Sequence, residues 1–220
     1  MVVVDFHVHV AKYHMWNPWV HEFMKTANPK LYENFDHFMT PKNVLRFMEE
    51  EGVDLAVILA EITPIATGLV SNEFIVEFCQ GSDKLIPFAS INPHMDPDPP
   101  KTLTKLVRNF GMKGLKLQPP YQHFYPNDAT LYPLYEKAEE LGIPVVFHTG
   151  SSVFRNVKLK FGDPLYLDEI AVDFPSLKIV QAHGGRGFWY EKAFFLAKHH
   201  RNVYLEISGL PPSKPFEVLP

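Results

Sequence analysis

The stretch LYPLYEKAEELGIPVVFHTG, residues 131–150, contains one complete helix-then-strand unit and decides the fold class. An apolar stripe at helical spacing runs through its first part and consists of Leu131, Leu134, Tyr135, Ala138 and Leu141. That spacing predicts a helix over 130–141 with one buried face, and Gly142 is a residue type that commonly ends helices. The apolar run PVVFHT, residues 144–149, follows without polar alternation, which is typical of a parallel strand covered on both faces.

The same alternation continues on both sides of this unit. Strand-like apolar runs lie at 54–60, 85–91, 114–118, 178–183 and 203–208, and the opening run VVVDFHVHV, residues 2–10, is another. Helix-like segments lie at 69–80, 99–110, 164–173 and 188–199, and one more starts after Thr40 and Pro41 and ends at Gly52. Seven strands that alternate with helices predict a parallel α/β sheet covered by helices.

Two architectures fit such a series, a doubly wound open sheet and a (β/α)8 TIM-type barrel. A dinucleotide-binding open sheet carries a glycine-rich phosphate loop after its first strand, and no such loop follows residue 10. Polar residues instead close many different strands: His7, His9, Glu61, Asn92, Lys116, Gln118, His148, His183 and Glu206. Barrel enzymes assemble their sites from several strand ends in this way, so the barrel is favoured.

Composition limits the class of protein. With 220 residues, 46% of them apolar, the chain can bury one core, so a single domain over 1–220 is expected. The net charge is −4 and the basic residues are scattered, so neither nucleic acid nor a membrane is an expected partner. Cys79 is the only cysteine, which fits a reducing compartment. We therefore expect a cytoplasmic protein with a small-molecule substrate, and a homo-oligomer remains open.

Residues 11–40 show no regular pattern but are rich in aromatic side chains. A loop of this length in a compact domain is usually a lid or a binding loop, and its aromatic content argues against disorder. We expect it to lie over the mouth of the site. Trp16 and Trp19 would roof the pocket, with Trp16 touching substrate, or would form a contact between subunits.

The first strand carries a pair of histidines that can share one ion. Side chains two residues apart leave a strand on the same face, so Asp5, His7 and His9 point one way. Two imidazoles on one face can converge on a metal. The alternative is a pair of partly exposed histidines near a strand end.

Two further histidines, His148 and His183, close the strands at 144–149 and 178–183. Zinc or a similar divalent ion prefers neutral imidazole and carboxylate ligands, so His7, His9 and His148 are predicted to ligate one such ion, with zinc favoured. A catalytic site of this kind keeps a position open for water and lowers its pKa. His183 is predicted to be the general base or acid, because the ordinary histidine pKa lies near working pH.

These motifs together resemble the amidohydrolase superfamily. DFHVH at 5–9, GLKLQP at 114–119, PVVFHTG at 144–150 and FPSLKIVQAHGG at 174–185 occur in the order of the amidohydrolase-related branch, the aminocarboxymuconate-semialdehyde decarboxylase-like metal-dependent hydrolases. The resemblance implies a (β/α)8 barrel with one divalent metal, often zinc. It matches His7 and His9 to the ligands of the first strand, His148 to the ligand of the fifth, and His183 to the proton-handling histidine of the sixth.

The chain departs from that family pattern in two places. The family carries a metal-binding Asp at the end of its eighth strand, whereas this sequence ends at Pro220 within LPPSKPFEVLP, residues 210–220. The eighth strand is therefore expected to be missing from this chain, which would be a C-terminally incomplete barrel. Lys116 is the second departure. In some amidohydrolases a fourth-strand lysine is carboxylated and bridges two metals; here an inward-facing lysine that binds substrate or pairs with a carboxylate is favoured.

The remaining polar residues near strand ends receive weaker predictions. Arg155 and Arg186 lie just past strand ends and could clamp a substrate carboxylate in a bidentate manner, or lie on the surface. His123 is predicted to line the pocket. Glu61 and Glu206 are predicted to stand behind the metal-binding histidines as hydrogen-bond partners.

Three functions follow, in order of preference. The first is a metal-dependent hydrolase that attacks a small carboxylic ester, lactone or amide through a metal-activated water. The second is a non-oxidative decarboxylase of an aromatic or muconate-type acid on the same scaffold. The third is an inactive barrel with a binding or structural role, which the missing eighth strand would favour.

Overall fold

A computed structural model describes residues 2–210, apart from the side chain of Leu31. The strands are β1 (Val4–His9), β2 (Leu55–Leu59), β3 (Glu61–Thr63), β4 (Gly68–Val70), β5 (Leu85–Ser90), β6 (Leu115–Leu117), β7 (Val145–His148), β8 (Ile179–Ala182) and β9 (Val203–Leu205). Seven of them form one sheet in the order β1-β2-β5-β6-β7-β8-β9, and every neighbouring pair is parallel. β3 and β4 form a separate antiparallel hairpin.

The helices are α1 (Pro18–Ala27), α2 (Pro29–Glu33), α3 (Phe35–Phe38), α4 (Pro41–Glu50), α5 (Asn72–Cys79), α6 (Pro99–Phe110), α7 (Pro119–Gln122), α8 (Tyr132–Glu140), α9 (Leu167–Asp173) and α10 (Tyr190–His199). The start of α4 is encoded locally, because Asn43 N donates to the Thr40 hydroxyl and Pro41 occupies the first helical position. The predicted helix at 130–141 is α8.

Sequential strand order distinguishes a barrel from a doubly wound sheet. Each strand of the large sheet lies beside the next one of that sheet along the chain, without the reversal that makes a doubly wound crevice. The fold is therefore a curled parallel sheet of the TIM-barrel type, with helices on its outer face. The large sheet has no eighth strand within residues 2–210. Residues 211–220, on which the prediction of a missing eighth strand also rests, lie outside the described part.

The sheet divides the core into two layers. An inner cluster fills the concave face and contains Val57, Leu59, Phe88, Val146, Val180 and Ala182. A larger cluster packs the outer face against the helices. Side chains alternate along β7, so His148 lies on the same inner face as Val146, two residues earlier. The inner apolar cluster therefore ends at the carboxyl edge of the sheet in the polar side chain of His148.

Two elements differ from the sequence predictions. Residues 11–40 contain α1, α2 and α3, where we predicted a loop without regular structure. Each of these helices is ten residues or shorter, and such a helix leaves too little periodicity to be recognised. The helix predicted at 69–80 starts at Asn72, because the hairpin β3–β4 occupies the residues before it. Within residues 2–210, every helix is too short or too polar to cross a lipid bilayer.

Candidate metal centre and substrate pocket

A cavity of about 380 Å³ opens at the carboxyl ends of the strands. Its lining combines strand-end polar residues with apolar residues of the 11–40 segment: His7, His9, Trp16, Val20, Met24, Met39, Glu61, Thr67, Gln118, Tyr121, His148, Phe154, His183, Arg186, Ser208 and Gly209. A larger cavity of about 650 Å³ lies near the start of α6 and holds none of the predicted site residues. The smaller cavity is therefore the candidate site.

His7 is oriented by a buried carboxylate. Its Nδ1 lies 2.9 Å from Oε2 of Glu206. A carboxylate only accepts, so Nδ1 carries the proton and donates, and the lone pair is on Nε2. That Nε2 lies 3.2 Å from Nε2 of His9. A carboxylate behind one ring nitrogen is the usual arrangement of a metal-binding histidine.

His9 has a similar partner in Glu61. The His9 Nδ1 lies 3.5 Å from Glu61 Oε2, and Glu61 in turn accepts from the hydroxyls of Thr67 and Thr63 in the hairpin. With Nδ1 of both rings turned to carboxylates, two nitrogen lone pairs face each other, which is repulsive unless a cation lies between them. A tetrahedral zinc with Zn–N distances near 2.05 Å places its nitrogens about 3.3 Å apart, so the pair fits such an ion.

His148 offers a third nitrogen. Its Nε2 is buried and has no hydrogen-bond partner among the described residues. Burial holds the pKa of His148 well below its usual value, and burial also lowers the pKa values of His7 and His9. All three rings are therefore neutral near pH 7, which is the form that binds a metal.

His183 joins the same group of rings through an unusual backbone. Its φ is +66°, followed by positive φ at Gly184 and Gly185, so the chain turns sharply after β8 and brings the ring inward. Its ring centroid lies 4.7 Å from that of His7 and 4.6 Å from that of His148. The turn therefore completes a cluster of imidazoles from three strand ends.

Hydrogen bonds decide the tautomer of His183. Its Nδ1 lies 2.9 Å from the carbonyl oxygen of Ser208, which only accepts, so Nδ1 donates and the lone pair is on Nε2. The Ser208 hydroxyl donates to Glu206 Oε2 at 2.9 Å. Burial lowers the pKa of His183 to about 3, with Lys116 as the second cause. A neutral ring with a free Nε2 can accept a proton.

A second trio of ligand-type atoms also exists. His7, His183 and Glu206 present atoms that all lie within 4.8 Å of one another. Glu206 already accepts from His7 Nδ1, from the Ser208 hydroxyl and from His183 N at 3.3 Å. Those hydrogen bonds occupy this carboxylate, whereas the facing Nε2 atoms of His7 and His9 and the buried Nε2 of His148 keep their lone pairs free.

The sequence model of the amidohydrolase family matches residues 4–219. This chain belongs to the amidohydrolase family.

Individual relatives are distant. The chain is 25% identical over 173 residues to 2-keto-4-carboxy-3-hexenedioate hydratase of a Sphingobium species, which covers 65% of this chain and 51% of that protein. The chain thus spans about half the length of this curated relative. An uncharacterised TIM-barrel protein of Bordetella bronchiseptica has a TM-score of 0.76 at 22% identity, over 98% of this chain and 80% of that one.

A third relative carries ligands. The 5-carboxyvanillate decarboxylase of Novosphingobium aromaticivorans, with bound manganese and a nitrobenzoic acid, has a TM-score of 0.65 at 14% identity, over 90% of this chain and 69% of that one. At such low identity these structures show the barrel fold of this amidohydrolase chain.

Lys116 lies deeper than we predicted. It is fully buried on β6, its Nζ has no hydrogen-bond partner among the described residues, and it does not line the pocket. Burial lowers the pKa of Lys116 to about 8, opposed by the carboxylates of Glu206 and Glu61. Of the two predicted roles of Lys116, substrate binding and pairing with a carboxylate, this position favours the electrostatic interaction with Glu206 and Glu61.

Two other predicted substrate-binding residues lie outside the cavity. Arg155 is exposed and its Nη2 lies 3.1 Å from Glu22 Oε2 of α1, because the loop after β7 turns the side chain outward. His123 has φ +61° at the end of α7, and its Nε2 lies 2.7 Å from the Asn156 carbonyl oxygen. Arg155 thus takes the surface position that was its alternative, and substrate contact by either residue stays a prediction.

Trp16 and Arg186 do line the cavity. Arg186 donates from Nη2 to the Ser151 carbonyl oxygen at 3.0 Å and from Nη1 to that of Gly209 at 3.4 Å. These bonds fix the guanidinium beside the pocket between the loops after β7 and β9. Trp16 pairs with Gly68 of the hairpin through an isolated bridge.

Sequence reasoning missed three pocket residues. Tyr121 lies in α7, and its ring centroid is 4.7 Å from that of His148 while its hydroxyl donates to Ser152 Oγ at 2.8 Å. Ser208 follows β9 and orients His183. Gln118 was noted as a strand-end residue without a role. A check of every polar residue within three positions of a strand end would have found Gln118 and Ser208.

Proposed function

We propose that this protein is a metal-dependent hydrolase of a small carboxylic ester, lactone or amide, with His7, His9 and His148 holding one divalent ion. The observation that carries the proposal is the pair of His7 and His9 lone pairs 3.2 Å apart, in the cavity that the unpartnered Nε2 of His148 also lines. When bound, the ion would supply Lewis-acid activation of water or of a substrate carbonyl. Zinc is the preferred ion for three imidazoles, and the manganese of the decarboxylase relative is the alternative.

His183 supports a reaction that adds water. Because its Nδ1–H is bonded to the Ser208 carbonyl oxygen, the lone pair of the ring is on Nε2, which can take a proton from the attacking water. A proton acceptor is what hydrolysis and hydration need first, and the Sphingobium relative is a hydratase. The imidazolium formed in this way can then protonate the leaving group.

Arg186 and the apolar wall define the type of substrate. A guanidinium held by two carbonyl oxygens keeps other N–H groups for a ligand, and carboxylates match its planar geometry. The apolar part of the lining comes from the 11–40 segment and includes Trp16, Val20, Met24 and Met39. The cavity therefore suits a small acid with an apolar body, and its volume of about 380 Å³ lies in the range of small-molecule sites.

Decarboxylation of an aromatic acid is the second candidate. The Arg186 side chain and the apolar wall fit such a substrate as well, and one relative of the same fold is a decarboxylase. That reaction needs a proton donor at carbon, whereas His183 already donates its Nδ1–H to Ser208 and keeps a lone pair on Nε2. We therefore place it after hydrolysis.

One experiment separates the candidates. Protein reconstituted with zinc or with manganese is incubated in 18O-labelled water with panels of carboxylated esters, lactones and amides, and of aromatic acids. Hydrolysis incorporates 18O into the product carboxylate, whereas decarboxylation releases CO2 without it. Protein that neither retains stoichiometric metal nor turns over any substrate would support a barrel with a binding role.

A further inference from the structure

Gln118 is the pocket residue to which the proposed reaction gives no role. It follows β6, is 3% exposed and lines the cavity beside the histidines. Its backbone is held tightly, because Gln118 N donates to Gln122 Oε1 at 2.8 Å. Gln122 is itself anchored by donating to the carbonyl oxygens of Ile91 and Ile62. The side chain of Gln118 therefore starts from a fixed point.

The orientation of the Gln118 amide follows from its neighbour. Its Nε2 lies 3.3 Å from Glu61 Oε1. An ionised carboxylate has no proton to donate, so the amide nitrogen must face Glu61 and the amide oxygen must face the other way. The contact with Glu61 therefore assigns the nitrogen and the oxygen of the Gln118 amide.

That acceptor has no donor. Gln118 Oε1 is buried and has no hydrogen-bond partner among residues 2–210. The nearest candidate by sequence, Lys116 on the same face of β6, also lacks a partner at Nζ, so the two side chains do not bond each other. Buried acceptors without partners are rare in proteins and call for an explanation such as a ligand or a bound water.

We propose that Gln118 is a specificity-determining residue whose Oε1 accepts a hydrogen bond from an O–H or N–H group of the substrate. The inference rests on the proposed function of the pocket and narrows it. The substrate would be a carboxylate held by Arg186 that also carries a hydroxyl or an amide N–H near its reacting end. A substrate without that donor leaves Oε1 buried and without a hydrogen bond. Because that loss costs free energy, such a site binds the substrate with the donor much more tightly than the analogue without it.

The test compares acids that differ in a single donor. Binding of 2-, 3- and 4-hydroxybenzoate, of their methoxy analogues and of benzoate is measured by calorimetry on zinc-reconstituted protein. We expect at least one hydroxybenzoate to bind about 10-fold or more tightly than its methoxy analogue, as one buried hydrogen bond would give. The set of three positions avoids any assumption about where the hydroxyl meets Gln118.

Two variants assign the preference to this residue. Gln118→Met has a similar volume but no acceptor, and the ratio of its hydroxybenzoate to methoxybenzoate affinities should fall to about 1. Gln181→Met makes the same change at another buried glutamine, whose Nε2 donates to the Ala193 carbonyl oxygen at 2.9 Å and which does not line the pocket. It should keep the preference.

Each outcome has a distinct meaning. Equal binding of every hydroxybenzoate and its methoxy analogue by wild type overturns the role of Gln118, and that comparison needs no variant to fold. A preference that survives in Gln118→Met overturns it as well. If benzoate and all of its derivatives fail to bind wild type, the carboxylate pocket of the proposed function is itself wrong.

Discussion

The floor and the rim of the pocket are held by different kinds of contact. The floor consists of the four strand-end histidines with Glu61 and Glu206, and both carboxylates are less than a tenth exposed. The rim consists of the 11–40 segment and the loop after β7, which meet through the rings of Phe23 and Phe154 at 5.3 Å and through the exposed pair Glu22–Arg155. Buried polar networks hold one geometry, whereas exposed ion pairs contribute little. The difference indicates that the floor performs the chemistry and the rim selects what enters.

The hairpin β3–β4 links these two regions. At one end Glu61 supports His9. At its turn, carbonyl oxygens accept from both halves of the rim, from Asn17 Nδ2 to Pro64 at 2.9 Å and from Asn156 Nδ2 to Ile65 at 2.9 Å. A displacement of the rim would therefore reach Glu61 through these hydrogen bonds and the ten residues of the hairpin, 61–70.

The largest expected effect is at the floor. Changing His7 to Ala removes one of the two facing nitrogens and the ring that Glu206 orients, so metal affinity should fall by more than the roughly 10–100-fold that loss of an outer partner causes. Elemental analysis of protein purified without chelator measures this. His14→Ala is the matched control, because His14 is exposed and does not line the cavity. A His7→Ala protein with wild-type metal content would contradict the site.

The second prediction separates the two possible ligand sets. His183→Asn should keep the metal and lose rate by about 10²–10⁴-fold, because it removes the proton acceptor and leaves the nitrogens of His7, His9 and His148 in place. Metal content and kcat are measured on the same preparation. Loss of metal together with activity would instead favour the trio of His7, His183 and Glu206.

The third prediction concerns Lys116 and the pH dependence of stability. Its pKa is about 8 in the folded protein against an ordinary 10.5, so between these values the unfolded chain binds the proton and the folded chain does not. Stability must then rise with pH across this window, by at most about 3 kcal/mol for this residue, and the cost of the buried charge is fully present below pH 8. In chelator-treated protein, Lys116→Met should lack this rise.

Urea unfolding at several pH values between 7.5 and 10.5 checks the prediction, because contributions from other groups cancel in the difference between variant and wild type. Lys113→Met serves as the control, since Lys113 is exposed on the same stretch of chain. Parallel curves for wild type and Lys116→Met would show that the buried amine keeps its proton through favourable contact with Glu61 and Glu206.

The floor was far easier to predict from the sequence than the rim. His148 and His183 close long apolar runs, and a strand end in a parallel sheet fixes the edge at which the side chain emerges. Arg155 and His123 also follow strands, but each lies in a loop where one positive φ, at Asn156 or at His123 itself, redirects the chain. Single-residue turns of that kind leave no periodic signal. The hairpin was not predicted either, because strands of only three residues are too short to show an alternating pattern.

The fourth prediction addresses selection by the rim. Met24 projects from α1 into the cavity, and Met24→Ala should enlarge the apolar wall, raise KM several-fold for substrates with an apolar body and leave metal content unchanged. Deleting the whole segment would be a poor test, because Val20 and Phe35 belong to the buried core. The control is Thr26→Ala, an exposed residue on the same helix that lies outside the lining. A KM that responds equally to both variants would show that α1 acts through stability alone.

The smallest expected effect is at the outer edge of the rim. The Arg155–Glu22 pair has side chains 69% and 64% exposed, so its contribution to stability should be below about 1 kcal/mol and should be screened by salt. Arg155→Ala should leave the melting temperature within about 2 °C and kcat unchanged, while substrate association speeds up modestly at low salt if the pair restrains the mouth. Glu22→Gln should give the same change, since either variant removes the same attraction. An Arg155→Ala protein that loses substrate affinity instead would return Arg155 to the carboxylate-binding role that its sequence position suggested, and would require the loop after β7 to close over the pocket when substrate binds.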